Sequence, residues 1–234
     1  MAKHGNRSVS SKSGSADVLE ELGININLYP EEVKNIIDEI GIGFMFAPVF
    51  HKSMRFAAIP RKQTGLRSVF NILGPLSNPA TVSKQVVGVF DKNYINRLVT
   101  ALDSLDTKRA MILSSNDGMD EISISDVTYA TTLFNGKMED IEINPEDYGI
   151  PMANKQDIEG GTPAYNARLT TDILSKKLVG AKLDIVLINA AAALIVDEKA
   201  RDFKDGIAIA KEAIISGKAK EKLEQIIKVS KQLS

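Results

Sequence analysis

Two short apolar runs, SKQVVGVF (83–90) and KRAMILSS (108–115), stand on either side of the amphipathic stretch NYINRLVTALDSL (93–105). The flanking runs read as buried strands and the middle stretch as a helix. A strand, a crossover helix and a second strand make a βαβ unit, which favours a parallel pair with the helix on one face. The fold class that follows is α/β, with a mostly parallel central sheet flanked by helices.

The rest of the chain fits that frame. SADVLEELG (15–23) places Val18, Leu19 and Leu22 on one helical face and stops at Gly23. PEEVKNIIDEIG (30–41) has Pro30 at a helix start, acids in its first turn, an apolar face of Val33, Ile36, Ile37 and Ile40, and Gly41 at its end. RKQTGLRSVFNILGPLSNPA (61–80) reads as two short helices broken at Gly65 and ended by turn chemistry. DEISIS (120–125), TYATTLF (128–134) and KMEDIEI (137–143) alternate as shorter, antiparallel strands would. From Thr162 onward the pattern is helical: TPAYNARLTTDILSKKL, the run LDIVLINAAAALIV (183–196), then two amphipathic helices. That run contains an Asp and an Asn and is shorter than the ~20 residues a membrane span needs, so it reads as a buried helix of a soluble chain.

Charge excludes a simple electrostatic function. With 29 basic against 30 acidic residues there is no overall case for nucleic acid or an anionic membrane as partner. The chain has no cysteine, hence no disulfide framework and no thiolate metal site, which suits a reducing, cytoplasmic setting.

Three stretches carry candidate chemistry. The opening segment KHGNRSVSSKSGS (3–15) combines the cations Lys3 and Arg7 with the donors Asn6, Ser8, Ser10, Ser11, Ser13 and Ser15. Gly5 and Gly14 would let backbone approach a ligand, and the helix starting near Ser15 would add N–H groups and a dipole end. Together they would cradle a phosphorylated ligand, although a solvated tail with Ser13 or Ser15 as helix cap has the same composition. No GxxxxGK[ST] or GxGxxG string is present. In the second stretch, Asp120 and Glu121 follow a buried strand and a Gly-containing turn, where α/β folds bind ligands. Mg²⁺ takes one or two carboxylates and completes its shell with water and phosphate oxygens. Both acids can serve one ion only if the segment is a turn or bulge, and two solvated acids in a hairpin turn are the alternative. In the third, His51 precedes a basic run and Arg61 follows Pro60, where a guanidinium could grip a carboxylate through two parallel bonds.

These stretches, in this order, resemble the anthranilate phosphoribosyltransferase family. AKHGNRSVSSKSGSADVLEELG is similar to the family's phosphoribosyl-diphosphate loop, and RKQTGLRSVFNILGPLSNPA, DGMDEIS, EGGTPAYNARL and INAAAALIV follow in the family's order across essentially the whole chain. The resemblance implies a nucleoside phosphorylase/phosphoribosyltransferase-like catalytic domain. It implies transfer of the phosphoribosyl group to anthranilate with release of pyrophosphate, a step of tryptophan biosynthesis. It assigns phosphoribosyl diphosphate to Lys3, His4, Gly5, Asn6, Arg7, Ser8, Val9, Ser10, Ser11 and Ser15. It assigns anthranilate to Asn6, Arg61 and, at the channel entrance, His51, and Mg²⁺ to Asp120 and Glu121. No catalytic residue is implied beyond these.

The resemblance also implies a departure. The family carries helices of a small domain, the first part of the central sheet and a glycine-rich GTGGD-type loop ahead of the position of Lys3, and no GTGGD string occurs here. The expectation is an N-terminally truncated catalytic domain, 1–57 and 77–234, with 58–76 belonging to the small helical domain. Apolar residues such as Phe70, Ile72 and Leu73 should then stand exposed. The family's homodimer, and activity of the isolated chain, are in doubt on this reading. A pyrimidine nucleoside phosphorylase-like enzyme and a non-catalytic substrate-binding fragment are the alternatives.

Overall fold

The computed structural model describes residues 1–8, 12–54, 56, 63, 73–74 and 76–233. In chain order its principal elements are β1 (Ala2–Gly5), α1 (Ser15–Glu21), α2 (Pro30–Ile40), β2 (Gly43–Phe46), α3 (Ala47–Phe50), β3 (Lys84–Gly88), α4 (Ile95–Ser104), β4 (Arg109–Ser115), β5 (Thr128–Phe134), β6 (Lys137–Ile143), α5 (Lys155–Ile158), α6 (Pro163–Leu174), α7 (Ala181–Val196), α8 (Phe203–Ile215) and α9 (Lys218–Gln232). They fall into two compact units. Among the described residues no helix is long and apolar enough to cross a membrane. Most of 58–76, including Phe70 and Ile72, lies outside the described residues; Leu73 is described and is 38% exposed.

The first unit spans Met1–Thr81, Gly160–Leu174 and Gly217–Ser234. Its two strands, β1 and β2, pair in parallel with Lys3 opposite Phe44 and Gly5 opposite Phe46. Helix α2 between them begins at Pro30, whose missing N–H is no loss in a first turn. Glu32 reaches back to the N–H of Tyr29 at 2.7 Å. At the other end the N–H of Gly41, in a left-handed conformation, closes on Ile37 O. Phe44 and Phe46 bury against Ala16, Ile24, Ile26 and Ile226 of α9, and Met45 against Leu28, Val33 and Ile36. The strand is therefore covered on both faces, as its period of two requires.

The second unit spans Val82–Glu159 and Ser175–Ser216 and holds the sheet β3-β4-β5-β6. β3 and β4 are parallel, with Lys84 opposite Arg109 and Gly88 opposite Leu113, and α4 is their crossover. β5 and β6 continue the sheet antiparallel, joined at Asn135 and Gly136, both with positive φ, the turn an Asn-Gly pair favours. Parallel pairing thus occurs at β1–β2 and β3–β4, and antiparallel pairing at β4–β5 and β5–β6. Met111 and Leu113 of β4 point into a core with Ile122, Ile124, Ile143, Ile188, Ala191 and Phe203. Ala110 and Ile112 are equally buried and, by alternation, face the other side. Helices α7 and α8 pack closely: a Cβ on Gly206 would lie 2.7 Å from the Ala191 methyl.

One expected strand is absent. DEISIS forms no ladder; three of its N–H groups bond to side chains, and the Ile124 carbonyl accepts from the N–H of Ala153. The N–H of Ile122 donates to Asn189 Oδ1, that of Ser123 to Thr128 Oγ1 and that of Ser125 to Ser123 Oγ. Ile122, Ser123 and Ile124 are all fully buried, so the alternation in sequence is not an alternation of burial, and the segment is a loop folded over the core.

Candidate functional site

The opening segment leaves β1 at Gly5 and turns back so that its ends meet. The carbonyl of Asn6 accepts from the N–H of Ala16 at 3.3 Å, and Asn6 Oδ1 from the N–H of Arg7 at 2.8 Å. Asp17, in the first turn of α1, accepts from the N–H groups of Ser8 at 3.0 Å and Gly14 at 2.9 Å. The glycines allow this closure: a Cβ on Gly14 would lie 2.3 Å from Ser8 N, and one on Gly5 2.6 Å from Ser15 Oγ. Gly14, not Ser13 or Ser15, is the helix N-cap. At the start of α1 the N–H of Ala16 is drawn into this closure by Asn6, and that of the N-cap Gly14 by Asp17.

Arg7 is also committed. Its guanidinium forks onto Glu20 at 2.7 and 3.0 Å and reaches Asp17 at 3.0 Å, while lying 5.5 Å from the centre of the Phe46 ring. The bonds to Glu20 and then Asp17 raise its pKa further, so it is a permanent cation bracing the loop on α1. The N–H bonds from Ser8 and Gly14 and the guanidinium hold the Asp17 carboxyl below its usual range. Lys3 is exposed on β1. Val9, Ser10, Ser11 and Arg61 lie outside the described residues.

His4 and His51 come together. His51 follows α3, and its Nε2 is 3.1 Å from Nε2 of His4, with the rings edge to face at 72°. At that distance one nitrogen must donate and the other accept, so the facing pair holds a single proton. Burial, then repulsion from His51 and Lys3, lowers the His4 pKa, with a backbone hydrogen bond at Gly74 acting in the opposite direction.

In the second unit, the turn after β4 carries Asp120 and Glu121, both exposed, at the C-terminal end of the parallel β3–β4 pair. It is a turn rather than a strand, so the opposed faces of a regular strand do not separate the two carboxylates. The N–H of Ser115 bonds to Met119 O, and Gly118 takes a positive φ. Asp117 closes the turn from within, accepting from Ser123 Oγ at 2.8 Å and the N–H of Met119 at 3.1 Å. Burial works to raise its pKa, but these bonds, with Ser115 and Lys155, prevail and lower it. Gly88 supplies the space: a Cβ there would lie 1.5 Å from the carbonyl oxygen of Asp120. Asn189 of α7 bonds both backbone groups of Ile122, next to Glu121. Sequence reasoning did not find Gly88, Asp117 or Asn189 as parts of this turn, although an amide inside the most apolar helix was a signal.

Two hard carboxylates at an exposed turn suit Mg²⁺, which is commonly bound by one or two protein carboxylates together with substrate phosphate. Among the described residues no group of three or more His, Cys, Asp or Glu is placed to cage an ion. The donor set therefore fits a metal that arrives with phosphate better than one held by protein alone.

The arrangement can be set beside known proteins. Residues 1–220 match the glycosyl transferase family, a/b domain. The anthranilate phosphoribosyltransferase of Desulfosudis oleivorans is 48% identical over 231 residues, 99% of this chain and 68% of that protein. The crystal structure of anthranilate phosphoribosyltransferase from Thermus thermophilus superposes with a TM-score of 0.92 at 37% identity, covering 98% of this chain and 68% of that one. The Saccharomyces cerevisiae enzyme in complex with PRPP and Mg gives 0.90 at 26% identity, covering 99% and 65%. The chain thus spans about two thirds of the length of these relatives. With the loop, the histidine pair and the acidic turn all carried by the matched span, the chain belongs to the anthranilate phosphoribosyltransferase family.

Proposed function

We propose that this member of the family transfers the phosphoribosyl group of phosphoribosyl diphosphate to anthranilate through two sets of residues. The loop Lys3–Ser11 with Ser15 binds the phosphoribosyl diphosphate, and Asp120 and Glu121 hold the Mg²⁺ that accompanies its diphosphate. Asn6, His51 and Arg61 receive anthranilate. The observation that carries the reading is the acidic turn: two exposed carboxylates, at the C-terminal end of a parallel strand pair, on a backbone held by Asp117, Gly88 and Asn189. A yeast relative was solved with PRPP and Mg, which supports the same pairing here.

The chemistry asks for little acid–base work. When bound, Mg²⁺ neutralises charge on the departing pyrophosphate. An arylamine is already neutral near pH 7, so the protein's task is to orient it toward the ribose carbon, which becomes electron-poor as the leaving group departs. Arg7, fixed on Glu20 and Asp17, sets the shape of the loop, while Lys3 presents a cation to phosphate. His4, half-buried and with its pKa lowered, faces His51 to make a polar aromatic surface that suits the ring edge of an aromatic carboxylate.

The test is a Mg²⁺ titration of the initial rate with the double variant Asp120→Asn, Glu121→Gln. The variant should fold normally, because both side chains are exposed, and should need at least about tenfold more Mg²⁺. An unchanged Mg²⁺ dependence would remove the acidic pair from the proposal.

A further inference from the structure

Helix α7 is the most apolar element of the chain, yet it carries an amide, Asn189, in its middle. Its Oδ1 accepts from the N–H of Ile122 at 2.9 Å, and its Nδ2 donates to the carbonyls of Ile122 at 2.8 Å and Ile185 at 2.9 Å. The orientation of the amide is determined, because an N–H needs an oxygen and two carbonyls need a donor. Ile122 is thus paired through both backbone groups by one side chain, as a neighbouring strand would pair it. Its own side chain is fully buried beside Ile188 in the same core. The residue immediately before Ile122 is Glu121, and the one before that is Asp120.

We infer that Asn189 is a positioning residue for the Asp120–Glu121 pair, an inference that rests on reading that pair as the holder of Mg²⁺. An exposed turn would otherwise lose conformational freedom on binding the ion, and that loss weakens binding. Here the freedom is removed beforehand: the Ile122 backbone is tied to α7, and Asp117 and Ser123 tie the turn to itself. No other side chain does the same work at this position. Leu would leave two buried backbone groups without partners. Asp would keep an acceptor for the Ile122 N–H, lose the donor to its carbonyl, and add a further negative charge behind a turn that already holds Asp117, Asp120 and Glu121. Gln would carry the amide one methylene too far. An amide in an apolar helix costs stability unless fully bonded, and here its three bonds all serve Ile122 or the helix itself.

The experiment compares Asn189→Ala, the double variant Asp120→Asn, Glu121→Gln, and Val196→Ala, a core truncation in the same helix away from the turn. Binding of Mn²⁺, as a probe for Mg²⁺, is measured by electron paramagnetic resonance in the presence of phosphoribosyl diphosphate. Amide hydrogen exchange over 120–125 is followed without metal, and KM for anthranilate with it. Asn189→Ala should weaken Mn²⁺ binding about tenfold, speed exchange at Ile122 and its neighbours, and leave KM for anthranilate nearly unchanged, with excess Mg²⁺ restoring the rate. Val196→Ala should lower Tm without moving the Mn²⁺ affinity. If Asn189→Ala does not fold, Asn189→Ser, which keeps one donor and one acceptor, is read by the same measurements. Wild-type Mn²⁺ affinity in the Asn189 variant, with binding lost in the acidic double variant, overturns the role of Asn189 and leaves the metal reading standing. Wild-type affinity in the acidic double variant, or no Mn²⁺ binding by the unaltered protein, overturns the metal reading and this inference with it.

Discussion

Replacing Gly88 by Ala is the smallest change that tests how the acidic turn is held. The added Cβ would lie 1.5 Å from Asp120 O, 2.5 Å from its carbonyl carbon and 3.2 Å from its Cα. Carbon and oxygen do not approach so closely without a bond, and ordinary contact begins near about 3.5 Å. Either the turn retreats by about 2 Å or the end of β3 moves away from β4 by a comparable amount. A retreat of the turn carries Ile122 with it and breaks bonds that stand at 2.9 and 2.8 Å to Asn189, since hydrogen bonds fail beyond about 3.5 Å. A retreat of the strand breaks the bond from the N–H of Val89 to Leu113 O. Each buried backbone group left without a partner costs about 1–3 kcal/mol.

The expected destabilisation of Gly88→Ala is therefore roughly 2–4 kcal/mol, or a fall in Tm of about 5–15 °C for a chain of this size. Binding of Mn²⁺ in the presence of phosphoribosyl diphosphate should weaken by about tenfold or more, since the carboxylates move with the turn. Gly206→Ala is the control: its Cβ would meet Ala191 at 2.7 Å, a purely helix–helix contact. It should cost about 1–3 kcal/mol by overpacking and, pressing on α7 two residues from Asn189, should weaken metal binding much less than Gly88→Ala does. Calorimetric melting and Mn²⁺ binding on the two variants decide the matter. A Gly88→Ala protein with wild-type Tm and wild-type Mn²⁺ affinity would show that the turn is not seated against β3, and the reasoning would be wrong.

The chain has two histidines, so both imidazoles can be followed by NMR; His4 should titrate below 6.5, and His51→Gln should raise its pKa by removing a repelling partner. Because folded His4 binds its proton less tightly than the unfolded chain does, stability should be intact above pH 6.5 and fall as pH drops toward the folded pKa, and His4→Gln should flatten that slope. Asp17→Ala removes the acceptor for the N–H groups of Ser8 and Gly14 and should cost about 1 kcal/mol of stability. Since its folded pKa is depressed, the Asp17 contribution should be present above pH 3.8 and lost on further acidification, which an acid-unfolding curve of the variant would show as a reduced slope. Arg61→Ala should raise KM for anthranilate roughly ten- to a hundredfold, and Arg61→Lys should restore only part of it; equal effects on both substrates would point to a structural role.

What could be read from the sequence and what could not divide along a physical line. The βαβ unit, the helices α1 and α2 with their glycine ends, and the buried helix α7 each follow from a local pattern, because burying one face of an element imposes its own period on the residues. Asp120 and Glu121 were also visible, since position after a buried strand and a glycine turn is local information. The loop Lys3–Ser15 was read by its donors alone, and donors do not state their acceptors. Asp17 and Glu20 sit only a turn or two further on, and they accept from the N–H groups of Ser8 and Gly14 and from the Arg7 guanidinium. DEISIS shows the same limit. Its alternation of apolar Ile122 and Ile124 with polar neighbours is what a half-buried strand displays, but Ser123 between them is as fully buried as they are, and a one-dimensional pattern cannot distinguish a strand from such a loop. The difference lies in who accepts and donates the backbone bonds. Asn189 stands 67 residues away in sequence and replaces the missing strand partner. Were Ile122 bonded by a neighbouring strand instead, its flanking acids would be drawn into regular alternation, and Asp120 and Glu121 would point to opposite faces. The departure from the sequence-based reading is therefore the same feature on which the proposed sharing of one ion by Asp120 and Glu121 depends.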